Sequence, residues 1–220
     1  MRLGKAELDP QESGALWWQA SRLLAVADLH FEKGSSHAVR GTLLPPYDTA
    51  ATLRALERDV LRLAPQIVIC LGDSFHDRGG PGRLAAEDRD RIAALARGRQ
   101  WFWIAGNHDP ALPEDLPGER VLEMALGPLL FRHQPQVAAD PGELSGHLHP
   151  KAAIRVRGRR ISRRCFISDG SRVVLPAYGA FAGGLDVLDA AFADLFPQGF
   201  AVWLCGPGGV RRFTHDRLSG

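Results

Sequence analysis

The sequence predicts a layered α/β fold with two sheets. In the first half, three short apolar runs alternate with helical patterns. After about residue 120 the rhythm changes to strands joined by short turns. Alternation of strand and helix favours a parallel sheet, and closely spaced strands favour a second, β-rich layer. No shift in composition marks a linker, so we expect one domain over residues 1–220.

The first half of the chain predicts three strands and two helices. Leu23 to Ala27 reads as a buried strand, whereas residues 32–46 carry Gly, Ser and Pro and predict a loop. A helix should then begin at Asp48, the expected N-cap, and end just before Pro65. The other elements are a strand over residues 66–71, a helix over 85–97 and a strand over 100–105.

The second half predicts many strands and a single helix. The helix covers residues 187–195, and the Gly-rich residues 178–184 predict a loop near the rim of the site. The strands cover residues 121–125, 128–133, 143–147, 153–157, 165–169, 172–176, 199–204 and 210–214. Because they are short and close together in sequence, we expect them to form the second sheet.

The composition excludes several classes of protein. Hydrophobic content of 45% and charged content of 24% are typical of a globular chain rather than a disordered one. A net charge of +2 does not by itself indicate a nucleic-acid or membrane partner. The three cysteines form no CxxC pair, and the chain shows neither a signal peptide nor about 18 consecutive apolar residues. We therefore expect a cytoplasmic protein without a membrane partner.

Residue types that bind metals follow each of the first three predicted strands. These groups are Asp28-Leu29-His30, Gly72-Asp73 with His76 and Asp77, and Gly106-Asn107-His108-Asp109. Two more lie in the β-rich half, namely His133 and Gly146-His147-Leu148-His149. Because the carboxyl ends of parallel strands meet at one edge of a sheet, the first three groups should converge. On composition alone G-N-H-D is expected roughly 0.0003 times and G-H-x-H about 0.03 times, so these two motifs are specific signals.

These side chains together form a mixed nitrogen and oxygen donor set. Such a set suits Mn, Zn, Fe or Ni rather than calcium. Seven donors are too many for one four-coordinate ion, but two ions that share a carboxylate would use all of them. Two ions about 3.5–4 Å apart can bind both the attacking and the leaving oxygen of a phosphoryl displacement. The bridging oxygen would be a water of lowered pKa, hence a hydroxide at neutral pH. We predict two divalent ions, with Mn as the first expectation and Zn, Fe or Ni as alternatives.

In this order the five groups resemble the motifs of the calcineurin-like metallophosphoesterase superfamily. Residues 28–36, 44–48 and 72–77 further resemble the subgroup of ligase-associated DNA damage response endonucleases, and Phe131-Arg132-His133 and residues 146–151 fit it as well. The resemblance covers nearly the full length of the chain. It implies a four-layer, metallophosphoesterase-like sandwich of two mixed β-sheets flanked by helices.

The resemblance also implies a role for each residue of the site. It places three residues on the first metal, Asp28, His30 and His149. It places three on the second metal, Asn107, His133 and His147. Asp73 would bridge the two ions, His108 would be the acid that protonates the leaving oxygen, and Asp109 would orient His108.

The chain departs from the superfamily pattern G-D-x-x-D-R, because one additional residue precedes Asp77-Arg78. This leaves two interpretations of His76 and Asp77, a hydrogen bond to a metal ligand or a salt bridge with Arg78. Three other cations lie beside ligand motifs and are candidates to contact the ligands or a substrate phosphate, namely Lys33, Arg132 and Lys151.

The segment from Lys151 to Arg164 carries seven positive charges and no acid. If residues 153–157 are extended, Arg155 and Arg157 share one strand face, and Gly158 forms a turn. One interpretation is a solvated hairpin. The other is a segment that binds a nucleic-acid backbone beside the metal site, through Arg155, Arg157, Arg159 and Arg160.

The function that we predict is hydrolysis of phosphodiesters by a metal-bridging hydroxide. The resemblance alone implies a nuclease in DNA repair, with DNA as substrate and a DNA ligase and a helicase as partners. One alternative is a pyrophosphatase or phosphatase for a small nucleotide or nucleotide-sugar, which would use the same metal centre. Another is a catalytically silent scaffold of the same fold, although the intact set of ligands argues against it.

Overall fold

The strands and helices are those of a computed structural model that describes residues 1–42, 44–45, 47–138 and 141–219. The strands are β1 (Arg2–Leu3), β2 (Ala6–Glu7), β3 (Asp9–Pro10), β4 (Leu16–Trp18), β5 (Leu23–Val26), β6 (Ile67–Leu71), β7 (Gln100–Ile104), β8 (Glu119–Val121), β9 (Glu123–Leu126), β10 (Leu129–Arg132), β11 (Glu143–Ser145), β12 (Pro150–Val156), β13 (Arg159–Ser168), β14 (Arg172–Val174), β15 (Leu185–Asp186), β16 (Ala201–Gly206) and β17 (Gly209–Thr214). The helices are α1 (Lys33–Val39), α2 (Asp48–Leu63), α3 (Gly80–Arg83), α4 (Ala86–Ala96) and α5 (Ala190–Ala193), with single 3-10 turns at Gln19–Ser21 and His215–Arg217.

The first sheet has the strand order β3-β4-β5-β6-β7-β8. Strands β5 to β8 are parallel, and β3 and β4 add an antiparallel edge. The three strands predicted in the first half are therefore neighbours at the centre of this sheet. As expected, their carboxyl ends lie at one edge.

The second sheet has the order β15-β12-β13-β14-β11-β10-β9, and β16 pairs with β13 and carries β17. It is mixed, because β10, β11 and β14 run parallel whereas β12 and β13 form an antiparallel hairpin. The ends of β10 and β11 therefore lie side by side. Both remaining groups of predicted ligands follow these two strands.

Successive side chains of the central strands pack into different hydrophobic cores, and this alternation defines four layers. On β5, Leu24 and Val26 pack against α2 and α4, whereas Leu23 and Ala25 face the second sheet. On β13, Phe166 faces the first sheet, and Cys165 and Ile167 pack against the segment around α5. The order helices, sheet, sheet, helix is the sandwich that the sequence predicted. Among the described residues, no helix is both long and apolar enough to cross a membrane.

Helix α1 lies within residues 32–46, so the loop prediction there was wrong. The amide of Gly34 donates to the Asp48 carboxylate at 3.1 Å, and a Cβ on Gly34 would lie 2.7 Å from the Asp48 Oδ1. The small residues that suggested a loop therefore permit close packing of α1 against α2. Asp48 is the first residue of α2 rather than its N-cap, which is Tyr47. Leu43 and Pro46, which belong to the predicted loop, lie outside the described residues.

Several other elements differ from the prediction. Helix α5 has only four residues, because Val187 instead donates its amide to the carbonyl of Lys151 beside β12. Strand β13 begins at Arg159 rather than at residue 165, since it pairs with the whole of β12. The N-terminal strands β1 to β4, helix α3 and strand β15 were not predicted. They are all short, two to four residues each, and of these strands only β15 pairs with a strand that is distant in sequence, β12.

Candidate metal centre

The predicted ligands lie on strained backbone at the ends of the strands. Five of the seven have a positive φ, between 45° and 69°, namely Asp28, His30, Asp73, His147 and His149. A non-glycine residue in this region costs about 1–3 kcal/mol and persists only where the surrounding structure enforces it. The sharp turns after β5, β6 and β11 therefore direct these side chains into one place.

The glycines of the motifs allow these turns to approach one another. A Cβ on Gly106 would lie 2.1 Å from Asp73 Oδ1, and a Cβ on Gly146 would lie 2.5 Å from Asp28 Oδ2. Both distances are too short for a carbon atom. The glycine that opens G-N-H-D and the glycine that opens G-H-x-H are therefore required by contact with a carboxylate from another strand.

One group of donor atoms comprises Asp28, His30 and His149. The Nε2 atoms of His30 and His149 lie 3.2 Å apart, and His149 Nε2 lies 3.3 Å from Asp28 Oδ1. Asp28 is fully buried, and its carboxylate accepts the amide of His147 at 3.0 Å. Burial, with the neighbouring His149, lowers the pKa of His30 to about 3. A neutral imidazole is the form that binds a metal.

A second group comprises Asn107, His133, His147 and Asp73. His133 Nε2 lies 2.9 Å from Asn107 Oδ1, 3.2 Å from His147 Nδ1 and 3.4 Å from Asp73 Oδ2. The other ring nitrogen of His133 lies 2.9 Å from the carbonyl of Leu71, to which it donates. This hydrogen bond fixes the tautomer, so that the Nε2 lone pair faces the cluster.

Asp73 lies between the two groups. Burial would raise its pKa, but His133 and the amide of His108 hold it at about 2. The His108 amide donates to Asp73 Oδ1 at 2.9 Å, and Oδ2 faces His133. The charge of Asp73 also acts on His30, in the first group. This is the position that a shared carboxylate would occupy.

The donor set fits two cations. Two pairs of ring nitrogens face each other at 3.2 Å, His30 with His149 and His133 with His147. Each facing pair requires a proton or a cation between its two nitrogens, because two lone pairs at this distance would repel each other. The triads Asp28–His30–His149 and Asp73–His133–His147 each bring their donor atoms within 4.8 Å of one another. Their imidazole and carboxylate donors suit a first-row divalent metal.

His108 is oriented by a different group from the one predicted. Its Nδ1 lies 2.7 Å from the carbonyl of His76, to which it donates. The Asp109 carboxylate instead accepts the amides of Phe75 and Gly106, and burial raises its pKa to about 7. Asp109 therefore fixes the loops after β6 and β7, and the prediction that it orients His108 was wrong. His108 Nε2 lies 3.9 Å from Asp73 Oδ2, at the edge of the cluster.

Asp77 forms a salt bridge, but with Arg83 rather than with Arg78. Two hydrogen bonds of 2.8 and 2.9 Å join them, while Arg78 is exposed. Burial would raise the pKa of Asp77, but Ser36 and Arg83 hold it at about 2. Helix α3, which was not predicted, brings Arg83 into reach. Asp77 is thus a link between α1 and α3.

His76 belongs to a row of histidine rings beside the first group of donors. Its ring centroid lies 5.3 Å from that of His30, 5.4 Å from that of His108 and 5.7 Å from that of His37. Burial, followed by the charge of Lys33, lowers the pKa of His76 to about 4. His37 was not among the predicted site residues. Its spacing of four residues from Lys33 would have indicated a shared helix face if residues 33–39 had been recognised as a helix.

The three other candidate cations have different surroundings. Lys33 donates to the carbonyl of Phe181 at 3.1 Å, and its charge acts on His76, so it does lie beside the site. Arg132 instead pairs with Glu123 at 2.8 Å and with the fully buried Glu143 at 3.6 Å. Arg132 therefore pairs with carboxylates that are not predicted metal ligands, and its contact with a substrate phosphate stays a prediction. Lys151 lies on β12, two residues after His149.

The basic segment is a hairpin, and its arginines divide between two faces. Strand β12 ends at Val156, and Arg157, with φ of 49°, forms the turn together with Gly158. The prediction that Arg155 and Arg157 share a strand face was therefore wrong. Arg155 is directly opposite Arg160, and Arg159 is opposite Val156, on the other face. The four arginines predicted to bind nucleic acid, Arg155, Arg157, Arg159 and Arg160, are all exposed.

Comparison with known proteins identifies relatives of this fold. Residues 21–169 match the family model of the calcineurin-like phosphoesterases. The structure is similar to that of the nuclease MPE from Pseudomonas putida, with 28% identity and a TM-score of 0.72 over 97% of this chain and 98% of that one. It is also similar to Yfce, a phosphoesterase from E. coli, with 18% identity and a TM-score of 0.42 over 87% and 98% of the two chains. No curated protein matches the sequence.

Proposed function

The chain belongs to the calcineurin-like phosphoesterase family, and from that premise we propose that it is a two-metal phosphodiesterase that cleaves nucleic acid. As a member of this family it is a metal-dependent hydrolase. The observation that supports the finer proposal is the convergence of two donor groups on one carboxylate, with His108 beside them. The likeness to a nuclease over nearly the whole chain supports the choice of substrate.

Seven residues would hold the two metals. Asp28, His30 and His149 would bind the first, Asn107, His133 and His147 the second, and Asp73 both. When bound, two such ions supply an activated water and neutralise the charge of a phosphate. The protein holds the ligands in place through hydrogen bonds that do not involve metal. Examples are the bond from His133 to the Leu71 carbonyl and the bond from the His147 amide to Asp28.

His108 is suited to protonate the leaving oxygen. The hydrogen bond from Nδ1 to the carbonyl of His76 orients the ring so that Nε2 faces the cluster. The side chain is 40% exposed, so a substrate can reach it. In the imidazolium form both nitrogens carry a proton. The carbonyl keeps the proton on Nδ1, and the proton on Nε2 is the one that passes to the substrate.

We expect His149→Ala to lose one metal more than the other. His149 Nε2 lies 3.2 Å from His30 and 3.3 Å from Asp28, the two other donors of the first group. The metal content should therefore fall from about two ions to about one per chain, since the remaining site keeps its own deprotonated ligands. Elemental analysis of the purified variant measures this ratio. Equal loss at both sites would contradict the assignment of His149 to a single metal.

A comparison of substrates tests the proposed activity. The Mn²⁺-loaded protein is assayed with an aryl phosphodiester, an aryl phosphomonoester, nucleotides, and single- and double-stranded DNA. We expect turnover of the diester and of DNA, with little of the monoester. Turnover of the monoester and nucleotides without cleavage of DNA would instead identify a phosphatase or pyrophosphatase for small nucleotides. A role in DNA repair in the cytoplasm, beside a ligase and a helicase, belongs to the same proposal and depends on DNA being a substrate.

A further inference from the structure

We propose that one face of the β12–β13 hairpin binds the phosphate backbone of the nucleic-acid strand whose scissile phosphate lies at the metal centre. This proposal rests on the proposed function. The face, called the basic face below, comprises Lys151, Arg155, Arg160 and Arg164. It extends from the metal centre into solvent and carries four of the seven cations of the segment.

The register of the hairpin places these four side chains on one side. Lys151 is directly opposite Arg164, and Arg155 is directly opposite Arg160. Residues opposite each other in an antiparallel pair point to the same face, as do residues two apart along a strand. Strand β12 begins directly after His149, so Lys151 and Arg164 are nearest to the site. Arg155 and Arg160 lie farther out by about 13 Å, the length of four residues.

These opposed cations destabilise the hairpin when no ligand is bound to it. Like charges placed directly opposite each other destabilise an antiparallel pair, and here two such pairs share a face. Among the described residues, Arg160 is the one member of the face that pairs with a carboxylate, Asp186, at 3.5 Å. Arg164 donates to the carbonyls of Ala177 and Tyr178 at 3.3 and 3.4 Å, which fixes its position. A polyanion on this face would relieve the repulsion.

A groove connects the basic face to the metal centre. Its cavity of about 430 Å³ is bordered by His149, Lys151 and Arg164 on one side and by α2 on the other. The opposite wall includes three small residues, Ala51 and Ala55 of α2 and Gly179 of the loop between β14 and β15, so a chain can approach closely there. No carboxylate lines this cavity in the described part of the protein. Its shape and charge fit an extended sugar–phosphate backbone that continues from the scissile bond.

The hairpin offers a matched control for a test of this proposal. Arg159 points to the other face, and Arg157 lies in the turn. The variant Arg155→Gln/Arg160→Gln and the control Arg157→Gln/Arg159→Gln therefore remove the same charge from the same hairpin. They differ in whether the lost charges lie on the basic face.

The test is the salt dependence of kcat/KM for cleavage of a single-stranded oligonucleotide by the Mn²⁺-loaded proteins. The slope is negative, and each lost phosphate contact should make it less steep by roughly 0.7, so the slope of the test variant should be flatter than that of the parent by about 1.4 units. The control should keep the parent slope. Turnover of a small aryl phosphodiester should be unchanged in both variants, which shows that they fold and that the hydrolytic centre is intact.

Three results would contradict either the basic-face proposal or the proposed function. The combination of DNA cleavage and salt slope distinguishes them. If the parent cleaves DNA and the test variant keeps the parent slope, the basic face does not bind the backbone. If both variants lose the same slope, the hairpin acts only through its total charge, and the proposal is also wrong. If the parent hydrolyses the aryl diester but not DNA, the proposed nuclease function is wrong. The proposal for the basic face is then wrong as well, because it requires a nucleic-acid substrate.

Discussion

Asp73→Ala is expected to abolish phosphodiester hydrolysis and to weaken the binding of both metals. Asp73 is buried between the two donor groups, with Oδ2 3.4 Å from His133 and its charge acting on His30. Removal of an outer hydrogen-bond partner of a ligand typically costs about 10–100-fold in metal affinity. Loss of a carboxylate shared by two ions should cost more than that at each site. Elemental analysis and turnover of an aryl phosphodiester measure the two effects.

Two further variants make this experiment specific. Asp73→Asn keeps the shape and the hydrogen bond from the His108 amide but removes the negative charge. The metal content of Asp73→Asn should therefore be nearly as low as that of Asp73→Ala. Asp59→Asn removes a buried carboxylate from outside the site, where Asp59 accepts hydrogen bonds from Tyr178 and Arg62. This control should keep both metals. Two full metals and normal turnover in Asp73→Ala would exclude Asp73 as the shared ligand.

The sequence predicted which side chains converge better than it predicted the partners of those side chains. The ligand motifs are recognisable because each depends on local features, an apolar strand, a glycine and a tight turn. Gly106 and Gly146, for example, precede the ligands because a Cβ would collide with Asp73 or Asp28. The parallel order of β5, β6 and β7 then determines that their ends converge.

The partners of these side chains were harder to predict, because they depend on contacts between distant segments. Asp109 follows His108 in sequence, yet the turn directs its carboxylate to the amides of Phe75 and Gly106. Asp77 is adjacent to Arg78 but pairs with Arg83, across the turn that leads into α3. Adjacent residues often point in different directions, so proximity in sequence was a poor guide to pairing.

Helix α1 shows how tertiary contacts override local propensity. Glycine and serine are poor helix formers, and they predicted a loop. In the structure, Gly34 fits against Asp48, and Ser35 donates to the Glu32 carboxylate at 2.6 Å. The helix places His37 against His76, so the error in secondary structure also concealed a residue beside the site.

His108→Ala is expected to retain both metals but to slow hydrolysis of substrates with poor leaving groups by about 10²–10⁴-fold, the usual loss for a general acid. His108 belongs to neither of the two donor groups that contain Asp28 or His133, although its ring nitrogen also lies near those of His30 and His76. The loss should diminish along a series of aryl phosphodiesters as the pKa of the leaving phenol falls, because a good leaving group departs without a proton. Rates across that series, compared with those of the parent protein, measure the effect.

The control for this experiment is His37→Ala, which removes another histidine from the same row of rings. The His37 ring stacks on His76, 5.7 Å between centroids, and does not lie among the donor groups. If the row acted only through its bulk or polarity, both variants would slow all esters to a similar extent. If His108 supplies the proton, only His108→Ala should show a loss that depends on the leaving group. A uniform loss across the series in His108→Ala, with both metals retained, would mean that His108 positions the substrate instead of protonating it.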